Sequence, residues 1–162
     1  MRPAAVEEIA AGDPCEVVRA NAVAKALAVE VPAPSLVLGA DTIVAVDGEV
    51  LGKPRDEQQA RTYLARLVGR EHEVHGGLAL VRDGELWQVS STATTVTFLP
   101  LDGRGIDRYV ATGEWRGRAG GYAIQGRGAA LALAVDGDFY NVVGLPVSRL
   151  VQMAPELLER DL

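Results

Sequence analysis

The chain has 162 residues, 48% of them hydrophobic, and a net charge of −6. That length suits one domain around one core, and the apolar content excludes a disordered chain. The acidic balance disfavours nucleic acid and anionic membrane as partners, and no apolar stretch reaches the ~18 residues of a membrane span. Residues 1–5 are not followed by a signal-type apolar run, so the expectation is a soluble, cytoplasmic protein.

Cys15 to Glu30 is Ala-rich and reads as a helix, ended by Pro32 and Pro34. Ser35 to Gly39 and Thr42 to Val46 read as strands, with Asp41 just past the first. Asp47-Gly48 is a hairpin turn signal, and Glu49 to Leu51 is the short return strand. Asp56 is a candidate N-cap with Gln59 three residues on. Ala60, Tyr63, Leu64, Leu67 and Val68 then mark one buried helical face, ended by Gly69. Glu71 to Val81 and Glu85 to Leu99 read as long strands joined at Asp83-Gly84. A short helix around Ile106, Tyr109 and Val110 ends at Gly113. Strands follow near Tyr122 to Ile124 and Ala130 to Val135, and Pro146 fits the first turn of a last helix. The sum is a mixed α/β domain over residues 1–162, rich in antiparallel hairpins. It lacks the strand–helix alternation of a doubly wound fold.

Four segments carry candidate chemistry. In Gly39-Ala40-Asp41-Thr42 a carboxylate follows an apolar run. It can bind a divalent cation or take a proton from water, and it can equally serve as a turn or capping acid. In Leu51-Gly52-Lys53-Pro54 the ammonium can offset phosphate charge, or it can be a solvated lysine before a helix. The Gly113–Gly126 segment brings five glycines, Arg116, Arg118, Glu114 and Gln125 into one passage. Such a loop can offer backbone N–H groups and positive charge to an anion, and Gln125 can read a base edge; a flexible connection is the plainer reading. Tyr140-Asn141 through Pro146 reads as structural, with Asn141 bonding a neighbouring loop.

The histidines, His72 and His75, lack the His-Glu-x-x-His spacing, which speaks against a zinc site and against a Ser-His-Asp triad. The single cysteine, Cys15, cannot form an internal disulfide, and Arg19 is the only basic residue near it in sequence.

Taken in order, these segments resemble the Maf family of nucleoside triphosphate pyrophosphatases, also called septum formation inhibitor proteins. The matching stretches are Leu38 to Thr42, Leu51 to Pro54, Gly113-Glu114 through Gly120-Gly121-Tyr122-Ala123-Ile124-Gln125-Gly126, and Asn141-Val142-Val143-Gly144-Leu145-Pro146. The resemblance implies an inosine-triphosphatase-like α/β fold, a hairpin-rich sheet flanked by helices, often dimeric. It implies hydrolysis of a nucleoside triphosphate to monophosphate and diphosphate with Mg²⁺ or Mn²⁺. Asp41 matches the family's proton acceptor and Lys53 its phosphate-facing lysine. Arg118 stands where the family usually has a second lysine. Thr42 and Gln125 match positions linked to base selectivity, in the pairing of the dTTP/UTP branch rather than the 7-methyl-GTP branch. Glu8 matches an acidic metal-site residue beside Asp41, with Glu7 the competing alignment.

The sequence departs from the family in two places. The family's first strand, its Ser-x-Ser-Pro-Arg-Arg loop and its first helix have no counterpart in the sequence, and Gly76 stands where Thr is more common. The expectation is an N-terminally shortened member, less active than a version extended upstream. The other function class is a catalytically impaired relative that binds a nucleotide or a cell-division partner.

Overall fold

The computed structural model describes residues 6–159; the reading of residues 1–5 as carrying no signal-type segment lies outside them. Helix α1 (Pro14–Leu27) begins at Asp13, whose carboxylate accepts the Glu16 N–H, with Pro14 in the first turn. It stops three residues before the expected Glu30. Strands β1 (Leu36–Val46) and β2 (Glu49–Leu51) form the expected hairpin. Asp47 and Gly48 at its turn both have positive φ, 54° and 77°, as a two-residue turn between twisted strands requires. Helix α2 (Glu57–Leu67) is capped by Asp56 and buries Ala60, Leu64 and Leu67. Strands β3 (Glu71–Arg82) and β4 (Glu85–Phe98) are the long hairpin, followed by helix α3 (Gly103–Ala111), strand β5 (Ala132–Asp136), and helices α4 (Phe139–Val143) and α5 (Val147–Met153).

The five strands form one sheet in the order β2-β1-β3-β4-β5, every pair antiparallel. Side chains alternate across such a sheet, so β1 and β3 each present two faces. One face packs on α1 through Val37, Ala79 and Val81 against Ala22 and Ala26, and through Ile43 against Val17 and Val18. The other carries Val44, Val46, Val74, Val96 and Phe98 into the main core with α2, α3, Trp115, Tyr122 and Ile124. Leu78 and Leu80 on that same face meet Met153 of α5. No helix of the described residues is long and apolar enough to cross a membrane.

Three local expectations change. The first two strands are one continuous strand, so Asp41 lies within β1, paired with Gly77, and not past a strand end. Residues 122–124 form no strand: the positive φ of Gly120 and Gly121 (65° and 77°) turns the chain just before them, Tyr122 is extended (φ −143°, ψ 158°) but pairs with no strand of the sheet, and a turn begins at Ile124. Asn141 lies in an unexpected short helix, and its amide donates to strand groups, the carbonyls of Val74 (3.0 Å) and Thr92 (3.3 Å), rather than to a loop.

Candidate active site

The candidate site grows from a gap in the sheet. Strand β2 pairs only with Val44–Val46, so among the described residues the Leu36–Ile43 half of β1 has β3 on one side and no strand on the other. At such an edge a ligand reaches both faces at once. Asp41 points to the α1 face and Thr42 to the other, yet both line one cleft of about 210 Å³ together with Lys25, Lys53, Arg118 and Gln125. A second hollow of about 400 Å³ adjoins it, sharing Thr42, Lys53 and Ala119, and adds Glu8 and Asn21. Together they reach the size of a small-ligand site, which neither the first cleft nor its few polar groups would on its own.

Asp41 is buried, with 6% of its surface exposed. Its Oδ1 accepts from the Lys25 ammonium at 2.5 Å and its Oδ2 from the Asn21 amide at 2.9 Å. Both partners come from α1, and glycines bring that helix close. A Cβ at Gly39 would lie 2.1 Å from the Ala22 carbonyl oxygen, and one at Gly77 2.1 Å from that of Val18. Larger residues would push α1 off the sheet and draw Asn21 and Lys25 away from Asp41.

Lys25 also pairs with Glu8 Oε1 at 2.8 Å, so one ammonium bridges two carboxylates. Burial opposes its charge, but Asp41 and Glu8 outweigh that and hold Lys25 above the ordinary lysine value. Glu8 is held below the usual glutamate value, first by Lys25, against a smaller effect of burial, and then by Lys53. Lys53 Nζ lies 3.2 Å from both Glu8 oxygens, while half of its side chain stays exposed. Asn21 completes the arrangement by gripping Ile9 at both ends: it accepts the Ile9 N–H (2.8 Å) and donates to the Ile9 carbonyl (3.0 Å). It thereby ties the segment carrying Glu8 to Asp41. Of the two competing acids, Glu8 is the one bonded to both lysines.

Arg118 and Gln125 are exposed on the glycine-rich strap that forms another wall of the cleft. Among the described residues Arg118 makes no ion pair, which leaves its guanidinium available to an anion. Thr42 faces Gly144, where a Cβ would come 3.9 Å from its hydroxyl.

Lys25 and Asn21 escape a reading by motif, yet a signal for them exists. Val18, Asn21, Ala22, Lys25 and Ala26 follow the i, i+3, i+4, i+7, i+8 stripe of a buried helical face. Two polar side chains in an apolar stripe need partners across the interface, and Asp41 is the partner. The histidines are structural, buried on opposite faces. His72 shares a hydrogen bond with the Tyr122 hydroxyl (2.8 Å), and burial lowers its pKa to about 4. His75 lies 3.5 Å from the Cys15 sulfur, so a basic side chain distant in sequence stands beside that thiol.

Among the described residues no group of three or more His, Cys, Asp or Glu side chains converges on a point. The donor set is two carboxylates, Asp41 and Glu8, with the Lys25 ammonium standing between them. Two carboxylates facing one cationic point are a donor set that fits a divalent ion.

The family model described as Maf-like protein matches residues 1–157, and the chain belongs to that family. It is 55% identical over 145 residues to a dTTP/UTP pyrophosphatase of Symbiobacterium thermophilum, covering 88% of this chain and 74% of that protein. It is 43% identical over 150 residues to a dTTP/UTP pyrophosphatase of Dictyoglomus thermophilum, covering 90% and 78%. A third dTTP/UTP pyrophosphatase, from Pyrococcus furiosus, is 41% identical over 149 residues, covering 91% and 77%.

Proposed function

We propose that this protein hydrolyses pyrimidine nucleoside triphosphates of the dTTP/UTP type to the monophosphate and diphosphate. The observation that carries the reading is the meeting of Asp41, Lys53, Thr42, Arg118 and Gln125 around one cleft at the open edge of β1, in a chain 55% identical to a dTTP/UTP pyrophosphatase. Asp41 accepts the proton of a water that attacks the α-phosphorus, and the α–β bridging P–O bond breaks. Lys25 and Asn21 hold the Asp41 carboxylate in place for that transfer. Lys53 offsets the charge that collects on the departing diphosphate, and Arg118 binds the polyphosphate of substrate and transition state alike. Thr42 and Gln125 offer hydroxyl and amide groups to the base. Asp41 and Glu8 hold a divalent cation, Mg²⁺ or Mn²⁺, which supplies positive charge to the polyphosphate when bound.

Residues 1–162 act as one domain in this reading, supported by the single continuous sheet. The protein works as a homodimer, as the family resemblance implies, in the cytoplasm, as the composition leads us to expect; sedimentation at micromolar concentration tests the dimer.

The test is diphosphate release from dTTP, UTP, CTP and GTP with Mg²⁺ or Mn²⁺, by the wild type and by Asp41→Asn. Expected is turnover of dTTP and UTP that falls at least about 100-fold in the variant, the range of a lost general base. Equal rates for the two proteins would remove Asp41 from the chemistry. Binding of UTP without release would favour the non-catalytic reading.

A further inference from the structure

We infer that Glu114 is a positioning residue of the nucleotide site: its carboxylate closes the glycine-rich strap into the shape that presents Arg118 and Gln125 to the cleft. The inference rests on the nucleotide-hydrolase reading. Glu114 itself does not line the cleft, so it acts through the strap and not on the substrate.

Residues 117–125 supply six of the cleft's walls, among them Gly117, Arg118, Tyr122 and Gln125. Most hydrogen bonds inside this passage are short-range turns, such as Arg118 N–H to Trp115 O and Gly126 N–H to Ala123 O. The middle of the strap is tied elsewhere, by Gly120 N–H to Gly52 O (3.1 Å) and by the Tyr122 hydroxyl to His72 (2.8 Å). Its far end, beyond Gln125, is tied by Glu114, which reaches from the start of the strap to its end. One oxygen accepts the Arg127 N–H and the other the Gly128 N–H, both at 2.9 Å. The second oxygen also accepts the Tyr109 hydroxyl at 2.9 Å, and that hydroxyl accepts the Ala123 N–H at 3.1 Å. One carboxylate thus gathers three chain positions and anchors them to α3. The fit is close: a Cβ at Gly126 would lie 2.1 Å from Glu114 Oε1.

The chemistry demands a carboxylate. All three direct partners are donors, and an ionised carboxylate is acceptor on both oxygens. A glutamine would turn an NH₂ group toward an N–H or O–H donor. Glu114→Gln keeps the size of the side chain and loses part of the clasp. Tyr109→Phe keeps the carboxylate and releases only Ala123.

Two readouts test this. Hydrogen exchange without nucleotide should show the amides of Ala123, Arg127 and Gly128 exchanging at least about tenfold faster in Glu114→Gln, with β3 unchanged, as local opening of a strap predicts. In Tyr109→Phe only Ala123 should move. In steady-state kinetics, KM for UTP should rise about tenfold in Glu114→Gln with kcat within about threefold, because Arg118 and Gln125 hold substrate and transition state alike. A purely structural role would instead lower kcat through a smaller folded fraction and leave KM in place. Unchanged exchange at the three amides overturns the inference, and so does an unmoved KM in a folded variant. If Glu114→Gln does not fold, Tyr109→Phe carries both readouts. If the wild type releases no diphosphate, the hydrolase reading fails, and the exchange experiment still decides whether Glu114 holds the strap.

Discussion

Asp41 and Gln125 line the same cleft, yet their supports have little in common. Asp41 sits inside a strand and is held by side chains of a neighbouring helix, an ammonium and an amide. Gln125 sits on a strap of turns whose backbone is gathered by one distant carboxylate. Charge pairing holds the first region, and the price is a rigid interface between α1 and the sheet with no room for a Cβ at Gly39 or Gly77. The second region is held by backbone N–H groups and can yield locally while the sheet stays intact. Proton transfer requires a group placed to within tenths of an ångström, whereas a base-reading loop must admit and release its ligand.

Substitutions separate the two plans. The largest effect is expected from Asp41→Asn, which should lower kcat at least about 100-fold while KM for UTP, measured at saturating Mg²⁺ or Mn²⁺, stays near the wild-type value. A large rise in KM instead would make Asp41 a binding group and erase the contrast with the strap. Gly77→Ala should come next. Its Cβ has the Val18 carbonyl oxygen 2.1 Å away, so α1 must shift, at about 3 kcal/mol of stability in denaturant unfolding. Wild-type stability would show that α1 slides freely and that the Asp41 region is not rigid. Asn21→Leu should cost about 1–2 kcal/mol through its lost hydrogen bonds. It should also speed hydrogen exchange at Ile9, whose N–H it holds.

The smallest effect is a difference in pH response. Glu8 and Glu114 both have carboxyls held below the ordinary 4.5. For Glu114, burial pushes upward and the N–H groups of Arg127 and Gly128 outweigh it. Their contributions are complete above 4.5 and are lost as pH falls through the lower folded-state values. Lys25 is raised above 10.5, so its contribution is complete below that value and is lost as pH rises through the folded-state one. Acid should therefore loosen both regions. Alkali should loosen the Asp41 region through Lys25, and the strap at Ala123 through Tyr109, whose hydroxyl burial holds protonated above its ordinary 10.0. Exchange rates at Ile9, Ala123 and Gly128 across the two limbs would show this. Unchanged exchange at Gly128 in acid would contradict it.

Much of the fold was readable in one dimension because its signals are local. Asp47-Gly48 and Asp83-Gly84 call for positive φ, and both became hairpin turns. Asp56 and the Ala60–Leu64–Leu67 spacing mark α2 without reference to anything else. The misreadings have a common cause. Gly39 and Asp41 suggest a strand break, but the neighbouring strand pairs with them throughout and keeps β1 continuous. Tyr122 to Ile124 has the composition of a strand, and Tyr122 is extended, but it pairs with no strand of the sheet.

The sequence by itself determined the family, the hairpins, the capped helices and the residues Asp41, Lys53, Arg118 and Gln125 as candidates, since motif order and short-range backbone preferences are written along the chain. The tertiary structure alone decided that Asn21 and Lys25 belong to Asp41, that Glu8 stands between two lysines, and that Glu114 clasps a strap ending thirteen residues later. Those pairings join positions far apart in the chain. They arise because a buried charge or amide must find a partner wherever packing brings one within hydrogen-bond reach.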